Sequence, residues 1–188
     1  KGQNFQPPTN SFSSMTTPSL RIYRKNQSPI NAQGDYVLYW MIANRRIHWN
    51  YSLQHAVEEA NRLNKALLIF EPLRSEYRWA SDRIHKFIIE GMRDNEAACA
   101  EAKINYLPYV EPEHGAGKGM LSALAQNAAL VVTNHFPCFF LPQMVEAAAS
   151  KLSIAVDAVD SNGLYPLADA ERDFTTAASF RRHLQKRL

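Results

Sequence analysis

The feature that most constrains this chain is an alternation. Short β-branched or aromatic runs recur at Tyr36–Met41, Ala66–Phe70, Ile104–Val110, Ala129–Thr133 and Ser153–Val159. Several are apolar at nearly every position, as in strands covered on both faces. Between them lie apolar residues at helical spacing. Leu53, Ala56, Val57, Ala60 and Leu63 form one stripe; Ile84, Phe87, Ile88 and Gly91 form the next. A shorter helix is expected around Met120, Leu121 and Leu124, and another at Met144, Val145, Ala148 and Leu152. Alternation of this kind forces right-handed crossovers and a parallel sheet. The sequence therefore predicts an α/β fold, a doubly wound five-stranded parallel sheet in three layers (Rossmann-like). Ligands in such sheets sit outside the carboxyl ends of the strands, where the strand order reverses. That places the expected crevice beside the end of Tyr36–Met41.

A length of 188 residues suits one domain with a sizeable core. Residues 1–18, rich in Ser, Thr, Pro, Asn and Gln, are expected to be a disordered or loosely draped tail, leaving 19–188 as the folded domain. Leu20–Gln33 reads as an extended lead-in, and Gly34-Asp35 as a turn into the first strand. Phe174, Ala177, Ala178, Arg181 and Leu184 continue a fifth helical pattern with no stop signal before Leu188. Together with Lys1 in place of Met, this predicts a piece of a longer protein. The net charge of +3 is too mild to imply nucleic-acid binding by itself. No apolar run approaches the roughly 20 residues of a membrane span, so no membrane partner is expected. Cys99 and Cys138 form no CxxC and read as buried, inert thiols in a reducing, cytoplasmic compartment.

Few residues look catalytic. A phosphate-cradling P-loop needs a Gly at a position that Pro112 or Glu113 holds here, and Ser or Thr where Gly119 stands. His114–Gly119 therefore reads as a flexible lead into a helix. The six histidines show no metal-ligand spacing, and His48 and His55 are expected on the first helix. Glu58-Glu59 are adjacent and face different sides of that helix. No self-contained catalytic centre and no metal site are expected.

The strand ends carry more information. Met41, Asn44, Arg45, Arg46, Trp49 and Asn50 follow the first strand at the start of a helix. The two guanidiniums there can pair with phosphate or a carboxylate, or one can cap a neighbouring loop with Trp49 packed under it. Phe70 and Glu71-Pro72-Leu73 close the second strand, with Tyr77, Arg78 and Trp79 opening the next connection. Asn134, His135, Phe136 and Pro137 close the fourth. The candidate cofactor-binding rim is thus Met41, Asn44, Arg45, Arg46, Phe70, Glu71, Asn134, His135 and Phe136. Aromatic and polar groups converging there suit a planar ligand, although Trp79 and Phe136 also fit ordinary packing.

These residues carry a resemblance. Tyr36–Met41, Arg45-Arg46, Trp49-Asn50, Leu53-Gln54, Glu71-Pro72-Leu73, Tyr77–Arg83 and Phe87, then Phe136–Pro142 and Val159–Pro166, resemble the N-terminal α/β domain of photolyases and cryptochromes, specifically a class II-like bacterial branch. The likeness covers about residues 20–188. It implies an antenna-type domain that holds a deazaflavin or folate chromophore. It also implies a C-terminal helical domain of the same polypeptide, which would hold FAD, and damaged DNA as the parent's substrate. The full-length parent would then be a deoxyribodipyrimidine photolyase, and this fragment alone inactive. The chain departs from the family pattern at Asn134-His135, where an acidic residue is common. Two other readings are a non-repair signalling or docking module, as in cryptochromes, and a stand-alone nucleotide-binding protein of the same fold.

Overall fold

The protein is described here by a computed structural model, covering residues 16–170 and 172–187. Most of the expected tail at 1–18, and Leu188, lie outside the described residues. At the described end of that tail Thr17 is buried, and its N–H donates to the Glu58 carboxylate at 2.9 Å.

The elements follow the alternation in the sequence. After a 3-10 turn at Ser19–Arg21 come β1 (Ile22–Arg24), β2 (Tyr36–Trp40), α1 (Tyr51–Leu63), β3 (Ala66–Leu73), α2 (Asp82–Glu101) and β4 (Asn105–Val110). Then follow α3 (Met120–Gln126), β5 (Ala128–Asn134), α4 (Leu141–Ala149), β6 (Val156–Val159) and α5 (Ala177–Arg187). The sheet is six-stranded in the order β1-β6-β5-β2-β3-β4. Strands β2 to β6 are parallel, as expected. The sixth strand corrects the five-stranded reading: β1 lies within the extended lead-in and pairs antiparallel with β6, Tyr23 opposite Ala158. Three residues are too few for a period to declare itself, and the sheet edge, not the local sequence, makes this segment a strand.

Local chemistry sets the boundaries. Asn50 caps α1, its side-chain oxygen accepting from the N–H groups of Ser52 and Leu53. The helix stops where Asn64 turns left-handed at φ 53°. This cap corrects the placement of His48, which lies ahead of the helix. Gly34 is required by close approach: a Cβ there would meet the Ala129 nitrogen at 2.3 Å.

Each parallel strand sends alternate side chains to opposite faces. Val37, Tyr39, Met41 and Ile69 pack with Leu53, Ala56 and Ala60 of α1 and Cys99 of α2. Leu38, Trp40, Ile42 and Phe70 pack with Leu121, Leu124, Val145 and Ala149 of α3 and α4. The result is the expected three layers, with a core on each side of the sheet.

Candidate functional site

Strand order reverses between β2 and β5, so the expected crevice lies between Met41 and Asn134. A polar knot fills it. The Asn134 Oδ1 accepts from the N–H groups of Ile42 and Ala43 at 3.0 Å each, while its Nδ2 donates to Tyr39 Oη and Ser52 Oγ at 3.0 and 2.9 Å. Asn50 Nδ2 also donates to Tyr39 Oη, and Ser52 N–H donates to Ser161 Oγ. Burial, only partly offset by these hydrogen bonds, pushes the Tyr39 hydroxyl up to about 12. It stays a neutral phenol at any physiological pH.

The open space lies one strand over. A cavity of about 720 Å³ sits above the carboxyl ends of β2, β3 and β4, on the α3/α4 side. Trp40 and Ile42 of β2 and its extension, Phe70 and Pro72 of β3, and Tyr109 of β4 supply its floor. Tyr77 and Trp79 close one wall; Phe139, Phe140, Leu141 and Met144 close another. The rings form a connected set: Trp79 meets Phe139 edge-on at 5.2 Å, and Tyr77 tilts against Phe140 at 6.2 Å. Size and lining suit one planar aromatic ligand.

Glu111 lines the mouth and Glu71 lies beneath the floor, and neither is a free charge. Glu111 accepts at one oxygen from the N–H and hydroxyl of Ser75, at 2.9 and 3.0 Å. Its other oxygen accepts from the N–H groups of Gly115 and Gly117, at 3.1 and 3.2 Å. The Gly-rich loop is thus an anion nest whose anion is a residue of the same chain. The Ser75 N–H above all, against a smaller opposing effect of burial, holds the Glu111 carboxyl below the usual carboxylate range. Glu71 is fully buried beneath the floor. Arg45 Nη1 donates to its Oε1 at 3.0 Å; Asn95 Nδ2 and Tyr106 Oη donate to Oε2 at 2.9 and 2.7 Å. Burial first, and the hydrogen bond to Glu71 next, raise the Tyr106 hydroxyl far above its ordinary value.

The expected rim residues therefore scatter. Arg45 and Phe70 line the cavity. Met41 and Glu71 alternate with cavity residues along their strands and point to the opposite face. Asn44 is buried in the loop before α1, its Nδ2 donating to the Ser161 carbonyl at 3.4 Å. Arg46 caps its own loop, donating to the carbonyls of His48 and Trp49 at 3.2 and 3.1 Å. Trp49, which one of the two readings packed beneath an arginine, is 76% exposed. Asn134 is the knot itself. His135 stacks on Tyr23 at 4.2 Å, and burial lowers its pKa. Phe136 stays off the lining and lies parallel to Phe139 at 6.4 Å. Trp40, Ile42, Tyr109 and Glu111 were missed; β4 and the run after β2 gave no polar cluster to mark them. Cys138 is exposed, not buried, because the loop before α4 lies on the surface. Among the described residues no cluster of His, Cys, Asp or Glu could hold a metal ion. No helix among them is long and apolar enough to cross a membrane.

Fold and cavity together define a doubly wound α/β domain with an aromatic pocket beside, not at, its switch point. The chain belongs to the DNA photolyase family, whose model matches residues 37–188. It is similar to a deoxyribodipyrimidine photo-lyase of Methanothermobacter thermautotrophicus, 31% identical over 89% of this chain and 37% of that protein. Another from Arabidopsis thaliana is 24% identical over 79% of this chain and 30% of that protein. The chain thus spans about a third of the length of these curated relatives. It is also similar to the crystal structure of a functionally unknown protein from Pseudomonas aeruginosa PAO1, at TM-score 0.48 and 16% identity, covering 74% of this chain and 51% of that one.

Proposed function

We propose that this chain is the antenna-type domain of a light-driven DNA-repair flavoprotein of the class II-like branch. Its cavity holds a deazaflavin or folate chromophore. A helical domain of the same polypeptide holds FAD, and damaged DNA is the parent's substrate. The observation that carries this reading is the aromatic cavity at the ends of β2, β3 and β4, in a chain of the photolyase family. When bound, the chromophore supplies light absorption. The chain's own residues bind and orient it: Trp40, Phe70 and Tyr109 offer ring faces, and the Asn134 latch holds the Ile42 wall in place. Arg74 and Lys118 line the same cavity and make no ion pair among the described residues, so they suit the anionic substituent of such a ligand. Arg45 is already spent on Glu71 and Pro72. The free cysteines Cys99 and Cys138 agree with a reducing, cytoplasmic setting.

The nucleotide-binding reading fares worse. Its two usual phosphate positions are occupied by side chains of the chain itself, Asn134 at the switch point and Glu111 in the glycine nest. The test is an action spectrum of dimer repair by the full-length parent. A Leu121→Trp substitution, which pushes a larger ring system into the cavity and obstructs it, is expected to remove the chromophore's band while repair driven by direct flavin absorption persists. Repair with an unchanged action spectrum in that variant would refute the antenna role. A parent that repairs nothing under light would refute the repair role and leave signalling.

A further inference from the structure

A second concavity, of about 300 Å³, lies at α5, on elements that do not line the aromatic cavity. Ser179, Arg182, His183 and Lys186 face it, and Arg172 reaches it from the preceding loop. The four helical positions fall at i, i+3, i+4 and i+7, so they form one stripe along α5. Among the described residues no carboxylate lines the concavity. Arg172, Arg182 and Lys186 make no ion pair among the described residues, whereas the neighbouring Arg187 pairs with Asp169 at 3.9 Å.

These groups are also held. The Arg172 guanidinium lies over the Phe174 ring at 5.4 Å. Arg182 Nε donates to the Ala178 carbonyl at 3.4 Å. The Tyr165 hydroxyl donates to the Asp169 carbonyl at 2.8 Å, so it accepts from His183 Nε2, also at 2.8 Å. Three clustered cations without a counter-charge repel one another, and an anion in the concavity removes that cost. A single small anion would use one or two of them. The length of the stripe, about two turns of helix from Ser179 to Lys186 or some 10 Å, fits successive phosphates of a strand.

We propose that this concavity binds the phosphodiester backbone of DNA, giving the α/β domain a sequence-independent hold on the substrate. The choice of DNA as the polyanion rests on the reading of the parent as a DNA-repair protein. The contacts would position and carry no base information.

The test is fluorescence anisotropy of the 188-residue chain with a labelled undamaged duplex across a salt series. Three neutralised phosphates give a slope of log affinity against log salt of about −2.7, or about 40-fold weaker binding between 50 and 200 mM salt. Arg172→Gln/Arg182→Gln/Lys186→Gln is expected to abolish that slope. Arg83→Gln/Lys86→Gln/Arg93→Gln, with the same charge removed from α2, is expected to keep it. Equal loss in both triple variants, or binding untouched in the first, would overturn the proposal. So would capture of phosphatidylglycerol vesicles with no binding of duplex. Chromophore titration of the α5 triple variant keeps the two readings apart: the cavity is elsewhere, so its affinity should not move. A chain that binds duplex but no chromophore would refute only the antenna reading.

Discussion

The side-chain oxygen of Asn134 accepts the backbone N–H of Ile42 at 3.0 Å, tying the end of β5 to the chain leaving β2. This bond crosses the point where strand order reverses. It closes the crevice that the fold leads one to expect, and it fixes one wall of the cavity beside it.

Asn134→Ala removes this bond, the bond from Ala43 and both Nδ2 donations. Buried partners left unpaired cost roughly 2–4 kcal/mol in total. Chemical denaturation should show that loss. Ligand affinity of the cavity should fall as well, because Ile42 is no longer held.

Arg45→Gln leaves the Glu71 carboxylate buried without its cation. Arg45 is itself partly exposed, so roughly 2–4 kcal/mol of destabilisation is expected. Adding Glu71→Gln should restore part of it, and a double-mutant cycle measures how much.

Asp157 gives the fold an acid limit. Burial favours its neutral form, but hydrogen bonds from His55 and Arg24 outweigh that and leave its pKa lowered. A depressed carboxyl contributes stability above its unfolded value, about 3.9, and that stability is lost as pH falls through the folded value. Thermal unfolding between pH 5 and pH 2 should therefore show a steep acid loss, and Asp157→Asn should flatten it. An identical acid slope in the variant would contradict this role.

The two cysteines should react differently. Burial, with a smaller contribution from Glu71, pushes the Cys99 thiol up to about 11, whereas Cys138 is exposed. A thiol reagent at neutral pH should label one site quickly, and Cys138→Ser should abolish that phase. Cys99 should become reactive only on unfolding.

The sequence announced the fold because five apolar runs and the helices between them each obey one period. It did not announce β1, whose three residues become a strand only by pairing with β6. The site was legible to the nearest strand end but not to the face. In a parallel sheet covered on both sides, Trp40 and Met41 are equally apolar, and so are Leu38 and Tyr39; nothing local says which looks into a cavity. Arg45 read as a ligand group because it stands beside Arg46 after the first strand, and Glu71 because it closes the second. The structure shows that they satisfy each other. The glycines of Gly115–Gly119 failed the phosphate-loop spacing, yet the loop does cradle an anion; that anion, Glu111, lay a few residues upstream and carried no motif to mark it.

Everything proposed for this domain turns on whether the cavity above β2, β3 and β4 holds a planar chromophore. The most direct measurement is titration of the chain with a deazaflavin and with a reduced folate, followed by quenching of tryptophan fluorescence, since Trp40 and Trp79 line the cavity. Saturable quenching by at least one of the two is expected, lost in Leu121→Trp while that variant remains folded by circular dichroism. No quenching by either, or quenching undiminished in the obstructed cavity, would contradict chromophore binding.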